Sequence, residues 1–276
     1  MNTTITTLSV FVCCCLATPH LEATELRPWF SRDLQFVFRE TVGYESFGEV
    51  ARCGDQADLD RGGYRWFAAS SLSLPILDTV AVETELDFAD SSEHSFSLSS
   101  FQFTGRYHYA NDIVGDPMSV VIGVTLRLPT NAALSDFTQL AHSKLEGEIH
   151  LSLGKECTCW DSWSSRIWAV GVFGIGERNA TWVRTKIAYE WHLGCEQRFG
   201  LFGEWLANFK GGAIDLTDFK GYGDIRYRAG TIGCEYHRPI FDWGDLTAEY
   251  AYRPYASNFP KKLYRFLISL SIPFNP

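Results

Sequence analysis

Apolar and polar side chains alternate along this chain in runs of about ten residues, about twelve times over. A period of two marks an extended strand with two unlike faces, and a helix of period 3.6 cannot carry it. The last run shows the pattern most plainly. Tyr264, Phe266, Ile268, Leu270, Ile272 and Phe274 alternate with Arg265, Ser269 and Ser271. Leu246, Ala248, Tyr250 and Tyr252 oppose Thr247, Glu249, Ala251 and Arg253. Leu145, Ile149, Leu151 and Leu153 oppose Glu146, Glu148, His150 and Ser152. Val80, Val82, Leu86 and Phe88 oppose Glu83, Glu85 and Asp87, while Val183, Ile187 and Tyr189 oppose Arg184, Lys186 and Glu190.

The runs place strands at 34–44, 63–74, 79–89, 95–110, 117–128, 144–154, 165–176, 180–193, 197–209, 223–237, 244–254 and 262–273. In two of them the phase changes midway. One extra residue near Ser99 and another near Gly230 would restore the register as β-bulges. The run Ile167–Ile175 is apolar on both faces. Connections after odd-numbered strands are mostly long or polar, among them Pro129–Ser143 and Lys210–Tyr222, and those after even-numbered strands are shorter. Long–short alternation is what an up-and-down barrel with two unlike rims produces. The expected fold is all-β, a single antiparallel barrel of about twelve strands.

Composition removes several classes. Hydrophobic residues make up 46% of the chain and aromatics 15%, too much for a disordered chain. A formal net charge of -9 disfavours a nucleic-acid partner, whose binding surface is basic. After the N-terminus no uncharged apolar run is long enough for a membrane helix. The N-terminus itself carries a short apolar stretch, Leu8–Ala17, of the length of a signal-peptide core. This divides the chain into a signal peptide, 1–23, and a barrel domain, 24–276.

A soluble barrel turns its apolar face inward, and a membrane barrel turns it outward. The aromatics of the apolar face decide between them. Tyr64 and Trp66, Tyr107 and Tyr109, Tyr189 and Trp191, and Tyr250 and Tyr252 gather toward strand ends. On the strand order above they form two belts, as rings do at the two interfaces of a bilayer. The expected architecture is therefore a transmembrane β-barrel.

With this even-stranded alternation and its apolar terminal strand, the chain resembles bacterial outer-membrane β-barrels, porins and transporters among them. Gly115-Asp116-Pro117, leading through Gly123 to Leu126-Arg127-Leu128-Pro129, is similar to segments of phenol-degradation-type outer-membrane transporters. The resemblance implies export to the bacterial outer membrane, contact with outer-membrane lipid, and recognition by the barrel-assembly machinery. The final strand carries that machinery's signal in Tyr264–Phe274, although Asn275 and Pro276 follow the Phe.

If the polar faces line a lumen, Glu83, Glu85, Asp87, Glu146, Glu148 and Glu249 supply its acids. Arg184, Lys186, Arg226, Arg228, Arg253 and Arg265 supply its bases. The acids of the third strand are expected to face Arg184, Arg226 and Arg228 across a narrow pore, and opposed charge there would orient small polar solutes. Alternatively the charges cross-link the walls as ion pairs and the barrel is a non-conducting element of the envelope. The third possibility is a barrel-embedded lipid hydrolase, for which His142-Ser143 and His150 are the only suggestive groups. No nucleophile motif accompanies them, and an enzyme is not the expected function. No metal or cofactor is expected either: the histidines lack ligand spacing, and Gly171-x-x-Gly174-x-Gly176 sits in a strand with no helix after it.

Five cysteines follow the leader, Cys53, Cys157, Cys159, Cys195 and Cys234. An odd number in an oxidising compartment leaves one thiol over. Cys157 or Cys159 in one short turn is within reach of Cys195 in the next. Cross-linking to other envelope proteins and unpaired thiols are the alternatives.

Overall fold

The computed structural model describes residues 26–30, 35–53, 57–159, 162–177, 180–193, 197–240 and 244–274. Fourteen strands follow one another: β1 (Phe36–Phe47), β2 (Glu49–Ala51), β3 (Gly63–Leu77), β4 (Val80–Ser91), β5 (Ser97–Ala110), β6 (Ser119–Pro129) and β7 (Glu146–Cys159). β8 (Ser162–Gly176), β9 (Thr181–Leu193), β10 (Gln197–Asn208), β11 (Tyr227–Pro239), β12 (Asp245–Ser257), β13 (Phe259–Lys261) and β14 (Leu263–Phe274) complete the set. All but β2 and β13 form one closed barrel of antiparallel neighbours. β14 pairs with β1 to close it, with Ile272 opposite Phe38 and Phe266 opposite Tyr44. Closure leaves no strand edge unpaired.

The barrel is apolar outside and charged inside. On β7, Ile149 is 59% exposed and Glu146 1%; on β9, Ile187 is 60% exposed and Glu190 1%. In water such an arrangement would expose oil and bury charge, and it is stable only with an apolar medium around it. Aromatic pairs lie toward both rims of the outer wall. Tyr44 packs tilted against Trp66 at 4.6 Å near one rim, and Phe36 stacks on Phe274 at 5.4 Å near the other.

One rim, here the terminal rim, holds the start of β1 and the end of β14. It carries the short connections, such as Asp78-Thr79 between β3 and β4. The far rim carries the long ones, including 130–145 and 209–226. β2 and β13 pair as a small ribbon at the far rim, Pro260 opposite Val50. The 130–145 connection opens with a one-turn helix, α1 (Asn131–Ser135), capped by Thr130, whose hydroxyl accepts from the Ala133 amide.

The bulge expected near Ser99 is present. Asp87 faces Ser100 and Phe88 faces Leu98, so Ser99 is the extra residue. The bulge expected near Gly230 lies across the ladder instead. β11 keeps one parity throughout, and the extra residue is in β12, between Tyr252 and Tyr255. Pro254 stands there; it has no amide hydrogen to give the ladder, which is why the chain bulges at that point.

Candidate functional site: the lumen and its two plugs

Charged side chains reach the lumen because each strand turns alternate residues inward, and nearly all of them meet a partner on a neighbouring strand. Near the far rim, Arg65 Nη2 donates to Glu45 Oε2 at 2.6 Å. Midway, Arg265 lies 2.8 Å from Glu249 and 3.2 Å from Glu204, and Lys186 Nζ is 3.2 Å from Glu204. This four-membered cluster ties β9, β10, β12 and β14 together. On β6 and β7 Arg127 pairs with Glu146 at 3.4 Å, and Arg184 of β9 reaches Glu148 of β7 at 3.3 Å. Arg106 pairs with Glu83 at 3.7 Å. Pairing of this kind is what allows charge to be buried at all.

Two stretches of chain fill the space between the walls. From the far rim, the 130–145 connection folds inward. Asp136 accepts from the Ser91 hydroxyl at 2.6 Å, Gln139 from the Ser99 hydroxyl at 2.5 Å, and the Leu140 carbonyl from Arg127 at 2.7 Å. His142 stacks flat on Trp182, ring centroids 3.8 Å apart, and shares a hydrogen bond with the Tyr227 hydroxyl at 2.6 Å. Trp182 fits on the inner wall because its cross-strand neighbour is Gly174, where a Cβ would stand 2.0 Å from the indole. Phe137, Tyr222, Ile214, Ile225, Phe47 and Phe259 close over this loop as an apolar cap. Of the two long connections Pro129–Ser143 and Lys210–Tyr222, the first enters the barrel and the second lies in the cap.

From the terminal rim, residues 26–30 run into the lumen. Arg27 is held by Glu190 at 3.2 Å and by Glu235. The Trp29 indole donates to Asp112 at 3.0 Å and lies under the Arg166 guanidinium at 4.7 Å. Leu26 and Trp29 pack on Trp168, Val170, Val172 and Phe202. This explains the doubly apolar run 167–175. One face of β8 is the outer wall, and the other is the seat of the N-terminal segment.

What remains open is uneven. A cavity of about 460 Å³ occupies the terminal half, lined by Arg39, Arg106, Arg198, Glu83, Glu235 and Thr247 among others. Beyond it lie two pockets of about 40 Å³ each, the first lined by Leu26, Leu140, Leu206, Glu85 and Arg184. Each has room for about three waters.

Of the residues expected to line the lumen, Glu83, Glu85, Asp87, Glu146, Glu148, Arg184, Lys186, Glu249, Arg253 and Arg265 point inward. Arg226 and Arg228 do not. Both are exposed at the far rim, and the Arg226 guanidinium is 3.5 Å from the Cys53 sulfur. The expected phase change at Gly230 would have turned them inward, but β11 keeps its parity and Tyr227 takes the inward place. Arg184 pairs with Glu148 on the next wall strand but one and lines one small pocket together with Glu85 and Asp87 of β4. Arg65 points inward, as its polar-face position implies, whereas Arg27, Trp29 and Glu45 lie outside the residues expected there. The pattern of β1 carries Glu45, while nothing in Leu26–Phe30 distinguishes it from a linker.

The His142 ring is held by Tyr227 and Trp182, and the Ser143 hydroxyl donates to the Leu145 carbonyl at 2.6 Å. His150 is buried against Gly123. Among the described residues no cluster fit for a metal ion occurs. Cys157 is exposed and unpaired; Cys195 and the side chain of Cys159 lie outside the described residues, as does the expected signal peptide.

No protein-family model matches the chain, and no curated protein matches its sequence. Solved structures do match its fold. The COG4313 outer membrane channel from Pseudomonas putida F1 superposes with a TM-score of 0.66 at 10% identity, covering 92% of this chain and 100% of that one. The NanC porin gives a TM-score of 0.58 at 10% identity over 85% of this chain and 98% of its own. The KdgM porin, solved with disordered oligogalacturonate, gives 0.50 at 9% identity over 87% and 99%. A closed twelve-stranded barrel with an apolar wall and a charged lumen, the chain has the fold of the bacterial outer-membrane channels and porins.

Proposed function

We propose that this chain is an outer-membrane channel for small polar solutes, held shut in the conformation described. One observation carries the reading. The charged wall encloses a 460 Å³ vestibule at the terminal rim, and the way on is filled by two pieces of peptide rather than by the wall closing in. Residues 26–30 are the movable piece, since they join no strand ladder and are held by the side chains of Arg27, Trp29 and Phe30 and by one bond from Arg106 to the Arg27 carbonyl. Longer loops belong outside the cell in such barrels, which puts the vestibule on the periplasmic side. Export through a cleaved leader and insertion by the barrel-assembly machinery, guided by Tyr264–Phe274, complete the reading.

Planar-bilayer recordings test it. The refolded chain is expected to show rare, small openings, and a chain lacking residues 26–30 is expected to conduct several-fold more. Silence from both would favour the second reading, a non-conducting envelope barrel. The ion-paired lumen is the observation on that side, and the exposed thiol of Cys157 is its means of attachment to other envelope proteins.

A further inference from the structure

Arg27 sits in a seat that the barrel wall itself provides. Gly200 on β10 is the cross-strand neighbour of two glutamates at once, Glu190 on β9 and Glu235 on β11. All three face the lumen, so a row of carboxylate, glycine and carboxylate crosses three strands. The glycine leaves a hollow between the acids: a Cβ there would stand 2.8 Å from Glu235 Cγ and 3.1 Å from its Oε1. Trp168 forms one side of the hollow. Its indole donates to Glu190 Oε1 at 2.6 Å, and its ring lies 6.0 Å from the central carbon of the Arg27 guanidinium. Two carboxylates and an aromatic face suit a guanidinium ion, whose in-plane N–H groups donate to oxygens while its flat face lies toward a ring.

The charges around the hollow call for one cation. Lys186 and Arg166 also border the vestibule, but each has a carboxylate of its own, Glu204 at 3.2 Å and Glu156 at 2.6 Å. Arg198 stands 4.0 Å from Glu190. Take Arg27 away and two buried acids are left with that one cation at the edge of ion-pair range, and buried carboxylates are stable only when paired. Glu190 is 1% exposed, and its Oε2 accepts no hydrogen bond among the described residues even with Arg27 in place. A bare oxygen on a buried acid has room for a further N–H donor. Glu235 and Arg27 both line the 460 Å³ vestibule, so the seat is open to a solute arriving at the terminal rim.

We propose that the Glu190–Gly200–Glu235 seat is the recognition site for the solute, a small organic cation bearing a guanidinium or a comparable planar N–H group, and that Arg27 is its built-in competitor. Residues 26–30 leave the lumen when the solute takes the two glutamates. The assignment deepens the channel reading and rests on it for the passage of the solute. Binding is measured apart from current, so that the failure of one is not mistaken for the failure of the other.

Methylguanidinium is the probe, and methylurea, its neutral counterpart of the same shape, is the control. Calorimetry and tryptophan fluorescence on the refolded chain in detergent read binding, with heat-modifiable gel mobility confirming that each variant is folded. Arg27→Ala, which empties the seat, is expected to bind methylguanidinium about tenfold more tightly than wild type does, and about tenfold more tightly than it binds methylurea. Glu190→Gln or Glu235→Gln, added to Arg27→Ala, keeps the shape of the seat and removes one charge, and is expected to weaken binding about tenfold. Equal affinity for methylguanidinium and methylurea would overturn the proposal, as would folded glutamine variants that bind as well as Arg27→Ala alone. In planar bilayers methylguanidinium is expected to lengthen wild-type openings several-fold, and methylurea to leave them unchanged. A chain that binds the cation selectively yet never conducts keeps the site and removes the channel; one that conducts without telling methylguanidinium from methylurea keeps the channel and removes the site.

Discussion

Single residues hold the terminal plug. Gly154 on β7 makes room for it, since a Cβ there would stand 2.4 Å from Pro28 and 2.9 Å from the Trp29 ring. Gly154→Leu is expected to expel residues 26–30 while the barrel still forms. Its conductance should approach that of the chain lacking them, and a closed Gly154→Leu barrel would count against the seat assigned to Trp29. Asp112 is the anchor. Burial raises its carboxyl, but hydrogen bonds from the Ser119 hydroxyl, the Glu156 amide and the Trp29 indole outweigh that and hold its pKa below the ordinary aspartate value. A carboxyl lowered by folding stabilises above the unfolded value of about 3.9 and loses that contribution as pH falls through the folded one. The clasp should therefore be intact at neutral pH and loosen only in strong acid. Asp112→Ala is expected to conduct at pH 7 as wild type does only once acid has protonated Asp112; equal currents from both proteins from pH 7 down into that acid range would remove Asp112 from the anchor.

At the scale of elements, ladders of ion pairs join strands that hydrogen bonds already join. Glu45 and Arg65 are opposite each other on β1 and β3, are 5% and 2% exposed, and lie under the apolar cap. Arg65→Ala strands a buried carboxylate, and such a break costs about 3–5 kcal/mol. Urea unfolding in lipid vesicles measures it, and Glu45→Ala combined with Arg65→Ala should recover part of the loss. A loss below about 1 kcal/mol would mean that Glu45 is solvated after all, as exposed pairs are. The β6–β7 loop behaves as an element in the same sense. Its hydrogen bonds run to β4, β5 and β6, and the N-terminal segment is fastened to β9 and β11 by the Arg27 side chain, to β5 through the Arg27 carbonyl and to Asp112 by Trp29.

For the molecule as a whole, the decisive property is that it is inside out. Apolar side chains half exposed on β5 to β9 and glutamates buried opposite them make a wall that only lipid suits. Membrane fractionation followed by a gel with and without boiling should find the chain in the outer-membrane fraction with two mobilities. A soluble chain of single mobility would end the channel reading.

How much of this the residues announced differs by level. Alternation is local, because a strand's two faces are written in every second residue, so the twelve wall strands, the bulge at Ser99 and the two aromatic belts can be read directly. Lumen-facing charge is likewise legible, as Glu83 and Lys186 show. Parity fails where a strand end offers few residues to fix it, and there the alternation points Arg226 and Arg228 inward while the structure turns Tyr227 inward instead. The pairing of charges was out of reach, since Glu148 meets Arg184 only because β7, β8 and β9 lie side by side. Alternation by itself determined a barrel with an apolar outside and a polar inside. Only the tertiary structure decided that peptide from both rims occupies the inside, because those segments are held by contacts between residues far apart in the chain, such as Arg27 with Glu235 and Asp136 with Ser91, and no local period records them.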